Sequence, residues 1–395
     1  MRWEEPPPYQ ERARPSGFRI RDNGSVESLP ESPPRFRTGQ GAGPTMAYVK
    51  DQPWWKPQYW RVRTWVIVGV VVAVIIIIAI VVPVKVTEAN RYPNYSTLDY
   101  SLIDEYSGST FFDNFDYFEG YDPAQGFVHY VPKERATLLN LTYASESTAV
   151  LKVDTTVGPG SLPDASTGRF SVRVESKQQY NKGLFIFDVR HTPHGCGTWP
   201  ALWLTDQHNW PDHGEIDVME AVNQAVDGNQ MTLHTTKGCS VGGVKRKMTG
   251  SSLNTNCYNN TNNNAGCGVS GPPESFGNSY NNAQGGIIAM EWRNQGIRMW
   301  QFGRDAIPAD ITAKSPNPSS WGEAAADFPD TDCKVQSHFR NHSIIANIDL
   351  CGQYANGVYP QSGCPSTCND FVANNPNSFT DAFWAFGAFQ IYQAI

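Results

Sequence analysis

The 395-residue chain has no cysteine before position 196, and its 8 cysteines follow at 196, 239, 257, 267, 333, 351, 364 and 368. An even count confined to one stretch fits an oxidising compartment, with disulfides whose pairing the sequence leaves open. No second close pair matches Cys364 and Cys368, which argues against the two-pair ligand set of a structural zinc site. Positive charge is also short: 31 Lys and Arg stand against 38 Asp and Glu, for a net charge of -7. A nucleic-acid partner would call for a basic face, so none is expected. Alternating strand and helix units are missing too, which excludes a parallel α/β sheet.

Long apolar runs occur in one place. Residues 65–84 are almost unbroken and include Ile75, Ile76, Ile77 and Ile78. About 20 such residues cross the hydrocarbon core of a bilayer as a helix. The run starts too far along the chain, and lacks the small-residue cleavage site, to read as a cleaved signal peptide. Residues 64–85 are therefore expected to be a transmembrane signal anchor. Lys50, Lys56, Arg61 and Arg63 precede it, whereas only Lys85 and Arg91 follow closely. Positive charge favours the cytoplasmic side, which predicts a single-pass type II protein with its C-terminal domain extracellular or in the secretory lumen. Every cysteine lies beyond the span, as do the glycosylation sequons at Asn94, Asn140, Asn259 and Asn341. A further sequon at Asn23 falls on the cytoplasmic side.

Residues 1–63 read as a disordered, Pro-rich cytoplasmic tail. Pro6-Pro7-Pro8-Tyr9 in that tail fits the P-P-x-Y pattern of WW-domain ligands, so a WW-domain partner stands beside the plainer reading of a solvated tail. Residues 86–108 read as a stalk that carries residues 109–395 away from the bilayer. From Thr110 onward, short β-branched and aromatic segments are punctuated by Gly, Pro and Asn, as in an all-β domain. Residues 168–176 alternate cleanly, and residues 183–190 read as a neighbouring strand. The architecture expected is an antiparallel sandwich.

One stretch carries the chemistry: W-P-D-H-G-E-I-D-V-M-E-A-V-N, residues 210–223. As a strand it points Glu215 and Asp217 to one face, with Ile216 and Val218 toward a core. Glu220 has the wrong parity, unless an extra residue at Val218 and Met219 bulges out of the ladder and returns it to the acidic face. Paired carboxyls facing one sugar are what glycoside hydrolysis needs, one to attack the anomeric carbon and one to protonate the leaving oxygen. Asp217 between them would hold their proton affinities apart.

Three segments together, G-T-W-P-A-L-W-L at 197–204, the acidic stretch, and N-Q-M-T-L-H-T at 229–235, resemble the laminarinase-type members of glycoside hydrolase family 16. The resemblance runs from about residue 109 to 395. It implies a concanavalin A-like β-jelly roll with an open substrate cleft on β-glucan. It further implies Glu215 as nucleophile, Asp217 as its assistant and Glu220 as acid/base. No metal or organic cofactor is needed for that chemistry, although some relatives carry a structural calcium.

Trp199 and Trp210, beside Pro and turn residues, are candidate stacking platforms for sugar rings, whereas Trp203 reads as core. His234 is a candidate partner of Glu220, and Asn223 a candidate ligand of a sugar hydroxyl. Glu291 is a possible site residue, with a structural role the favoured reading. The loop at 250–285 is expected to be tied down by Cys257 or Cys267. The same carboxyls would also serve a cell-wall transglycosylase, and a non-catalytic glucan-binding module is a third reading.

Overall fold

The computed structural model describes residues 55–89, 91–161 and 165–395; the P-P-x-Y motif and Asn23 lie outside these. The apolar run forms a 28-residue helix, Val62–Ala89, with its valines and isoleucines exposed along its length. Its apolar part, Val62–Val86, has 25 residues. At 1.5 Å per residue this is about 37 Å, enough to cross a bilayer with some tilt.

The remaining chain folds into two 8-stranded sheets whose strand pairs are antiparallel. One, the site sheet, runs in the order Ser251–Ser252, Cys267–Ser270, Gln230–His234, Glu215–Glu220, Thr198–Thr205, His342–Leu350, Arg173–Tyr180 and Phe115–Tyr117. The other, the back sheet, is built around Gly183–His191, flanked by Gly286–Arg293 and the 12-residue strand Phe383–Ala394. Residues from alternate positions of both sheets meet in one core. Leu202, Leu204, Ile216, Val218, Leu233 and Ile348 come from the site sheet. Phe185, Phe187, Met290, Phe386 and Phe389 come from the back sheet. Phe187 and Phe389 pack edge-to-face at 4.8 Å, the arrangement that aromatic quadrupoles favour.

Residues 168–176 are divided at the buried Val172, with Arg169–Ser171 leaving the ladder to pair in parallel with Val128–Tyr130. The strand Gly183–His191 is not a sheet neighbour of Arg173–Tyr180. Between them the chain turns through Asn181 and Lys182 and crosses to the opposite sheet. Alternation identifies both strands, but it cannot say which sheet each joins.

Of the expected stalk, the part from Arg91 onward packs on the domain. Tyr100–Tyr106 is a strand paired with Phe383–Ala394. Ahead of it, Arg298 lies over the Tyr95 ring at 4.0 Å and Arg293 donates to Ser96 O at 2.9 Å. Tyr100 donates to Glu291 at 2.8 Å, and Arg298 pairs with the same carboxylate at 2.6 Å. Glu291 is thus structural, as its sequence context suggests.

All 8 cysteines are bridged: Cys196 to Cys364, Cys239 to Cys333, Cys257 to Cys267, and Cys351 to Cys368. Cys257 and Cys267 therefore tie the Asn-rich loop to itself.

Candidate active site

The strand Glu215–Glu220 is entered through Gly214, whose φ is +72. A Cβ there would stand 2.5 Å from His338 O, so only glycine fits. Glu215 and Asp217 pair with Thr205 and Trp203 on one neighbour strand, and with His234 and Thr232 on the other. Then the register slips. Asp217 faces Trp203 but Met219 already faces Leu202, so two residues on this strand answer one on its partner. Val218 and Met219 are both fully buried, and Glu220 emerges on the same face as Glu215 and Asp217.

The three acids differ in surroundings. Trp199 Nε1 donates to Glu220 Oε1 at 2.7 Å. Burial, foremost, and the charge of Asp217 push Glu220 up to about 7, against that hydrogen bond. Burial also raises Glu215, opposed by the charge of His234 and a hydrogen bond from Trp210. Asp217 is raised by burial and by Glu215. Its Oδ2 is buried without an aligned hydrogen-bond donor, with His234 Nε2 at 3.3 Å.

His234 Nε2 also lies 3.9 Å from Glu215 Oε1, and its Nδ1 meets Asn264 Oδ1 at 3.0 Å. Burial opposes charge on this ring, but the close pairing with Asp217 and the charges of the three carboxylates outweigh it and push the imidazolium up to about 10. His234 therefore pairs directly with Asp217 and Glu215, and reaches Glu220 through charge alone. Ligand atoms of Glu215, Asp217 and His234 lie within 4.8 Å of one another, so a cation could use them.

The indoles divide differently from expectation. Trp210 is 40% exposed; Trp199 is half-buried beside Glu220, edge-on to Tyr354 at 5.7 Å. Trp203 is half-buried rather than core, because positions 199, 201, 203 and 205 share a face and Trp203 stands opposite Asp217. It donates to Asn347 Oδ1 at 2.9 Å and lies under Arg173 at 4.9 Å. The parity it shares with Trp199 is the sequence signal that places it on the site face. Asn223 is not on that face: it is 1% exposed, accepts from Gly197 N at 2.9 Å, and donates to Ala355 O and Ser362 Oγ. Its amide is used up in shaping the end of the acidic strand.

Sequence reasoning passes over Asn229, Asn264 and Tyr354. Asn264, from the Asn-rich loop, closes over His234. Tyr354 and Gln230, joined at 2.6 Å, line a cavity of about 250 Å³ beyond the Glu220 end of the strand, together with Asp227 and Gln361.

Carboxyls that can attack and protonate, set among indoles on the outer face of one sheet of a jelly roll, define the class as a glycoside hydrolase. The comparison with known sequences makes this particular. Residues 115–392 match the XgeA-like, catalytic domain of glycoside hydrolase family 16, and the chain belongs to that family.

The chain is 44% identical over 308 residues to a probable glycosidase of Schizosaccharomyces pombe, covering 77% of this chain and 72% of that one. It is 39% identical over 305 residues to an endo-1,3(4)-β-glucanase of Arthroderma benhamiae, covering 74% of this chain and 65% of the relative. This chain thus spans slightly less than two thirds of that glucanase. Laminarinase 16A from Phanerochaete chrysosporium, solved with β-glucans in donor and acceptor sites, is 41% identical. The match covers 75% of this chain and all of that one, at a TM-score of 0.71. An elongating family 16 β-1,3-glucosyltransferase is 38% identical, over 74% of this chain and all of its own, at 0.69.

Proposed function

We propose that this protein is a retaining endo-β-glucanase that hydrolyses β-1,3 or mixed β-1,3/1,4 glucan, held to a membrane by Val62–Val86 with its catalytic domain outside the cytoplasm. The observation that carries the reading is the bulged strand, which brings Glu215, Asp217 and Glu220 to one face with unequal proton affinities. Glu215 Oε attacks the anomeric carbon while Glu220, protonated up to about pH 7, gives its proton to the departing oxygen. The glycosyl-Glu215 ester forms as the glycosidic bond breaks. Glu220, now a carboxylate, takes a proton from water, whose oxygen displaces Glu215.

Asp217, paired with His234 Nε2 at 3.3 Å, lies between the two glutamates and assists the nucleophile. His234 keeps the strip from carrying three unopposed negative charges. Trp199, Trp203 and Trp210 offer flat faces to neighbouring sugar rings. The laminarinase and glucanase relatives support the substrate class.

The test is release of reducing ends from laminarin and from mixed-linkage glucan by the full chain and its Glu215→Gln variant. A loss of about 10⁴-fold or more is expected, the scale seen when a covalent nucleophile is removed. A folded parent that binds glucan but cleaves none would overturn the reading. The 38% identical glucosyltransferase supports a second reading, in which a sugar hydroxyl replaces water in the second step. Products longer than the starting oligosaccharide would favour it.

A further inference from the structure

Asn229 sits immediately before the strand Gln230–His234, where that strand's pairing with the acidic strand slips. From Asp217 to Glu220 the partner moves only from Thr232 to Gln230, so the backbone groups in the bulge lose their regular ladder partners. The side chain of Asn229 replaces them. Its Nδ2 donates to Val218 O at 3.1 Å, and its Oδ1 accepts from Glu220 N at 3.0 Å.

The amide is itself held in place. Asn229 is fully buried, its N–H donates to Ser275 Oγ at 2.8 Å, and its carbonyl accepts from Gly271 N at 2.8 Å. Gly228 lets the chain pass close to Pro272, whose carbonyl oxygen would stand 2.1 Å from an added Cβ.

We infer that Asn229 is a positioning residue for the acid/base: by clasping both backbone groups of the bulge it aims the Glu220 carboxyl, without touching substrate. The inference rests on the glucanase reading and deepens it. Strand parity alone would turn Glu220 into the core, and the bulge is what returns it to the face where Trp199 meets its carboxyl. Alanine at 229 reaches neither Val218 O nor Glu220 N. Two buried backbone groups are then unpaired, and the bulge loses the link that sets its shape.

The experiment compares two substrates on the full chain and on Asn229→Ala: laminarin, whose poor leaving group needs a proton, and dinitrophenyl β-laminaribioside, whose dinitrophenolate leaves without one. Azide is present in the second assay. It attacks the anomeric carbon of the glycosyl-Glu215 ester, the ester bond breaks, the electron pair returns to the carboxylate, and the glycosyl azide departs with no base required.

The variant is expected to lose about 10²-fold or more on laminarin, the worth of a positioned general acid, yet to stay within about tenfold of the parent on the aryl substrate with azide. A parallel loss on both substrates, as plain destabilisation gives, would overturn the inference. So would unchanged activity on laminarin. If Asn229→Ala does not fold by its melting transition, the isosteric Asn229→Asp carries the same comparison; it keeps an acceptor for Glu220 N but sets an anion against Val218 O. A parent inactive on both substrates overturns the glucanase reading and this inference together, whereas an active parent whose variants keep its substrate ratio overturns this inference alone.

Discussion

Replacing Trp199 by Phe removes one N–H and keeps an aromatic ring, which isolates how the proton of Glu220 is held. The indole donates to Glu220 Oε1 at 2.7 Å, and its ring lies edge-on to Tyr354 at 5.7 Å. Burial of the carboxyl, then the charge of Asp217, hold Glu220 up to about 7, and the indole works against both by favouring the anion. A hydrogen bond to a charged acceptor is worth about 1.5–3 kcal/mol, roughly twice a neutral one. The anion therefore loses about 1–1.5 kcal/mol more than the acid does when the N–H goes. At about 1.36 kcal/mol per pH unit, this raises the proton affinity of Glu220 by about one unit.

With Glu220 as the proposed proton donor, the alkaline limb of the kcat/KM profile reports its loss of the proton in the free enzyme. That limb should move upward by about one pH unit from the region of 7 in Trp199→Phe, while the acid limb, set by ionisation of Glu215, stays in place. Initial rates of reducing-end release at low laminarin concentration, taken across the pH range, measure both limbs. Weaker sugar stacking would lower the whole profile without moving either limb. An alkaline limb that stays put or moves downward would refute the assignment of Glu220 as the acid, or the role given to Trp199.

Asp349 is 3% exposed, and burial, then the charge of Asp122, raise it well above the ordinary carboxylate range. The folded chain thus holds a proton that the unfolded chain has lost, so stability falls as pH rises from the ordinary carboxylate value toward the raised one. Asp349→Asn removes that titration and should raise the melting temperature at neutral pH and flatten its decline. A lower melting temperature there would refute the account. At the membrane end, Asn90 alone separates the helix end at Ala89 from Arg91, whose carbonyl accepts from Thr331 at 3.0 Å. Non-specific protease acting on membranes that carry the full chain should release little active domain, and a long Gly/Ser insert after Asn90 should make release easy. Equal release from both would show that residues 91–106 are not held to the domain.

Parity and packing separate what the sequence discloses from what it hides. The acidic strand can be read because Ile216 and Val218 must be buried while Glu215 and Asp217 are not, and the position of Glu220 then demands an inserted residue. Trp203 is readable by the same rule, since it shares a face with Trp199; its apolar neighbours point to the core only when parity is ignored. The residue that fills the bulge is a different case. Asn229 immediately precedes the next strand, and only the register between the two strands brings its amide to Val218 and Glu220. The stalk misleads for a related reason: Tyr95 and Tyr100 look like linker residues because their partners, Gln295 and Glu291, lie 200 and 191 positions away. Local pattern reports which face a side chain takes, whereas long-range register decides what it meets there. The carboxyls proposed to do the chemistry fall under the first rule, and the groups that hydrogen-bond around them fall under the second.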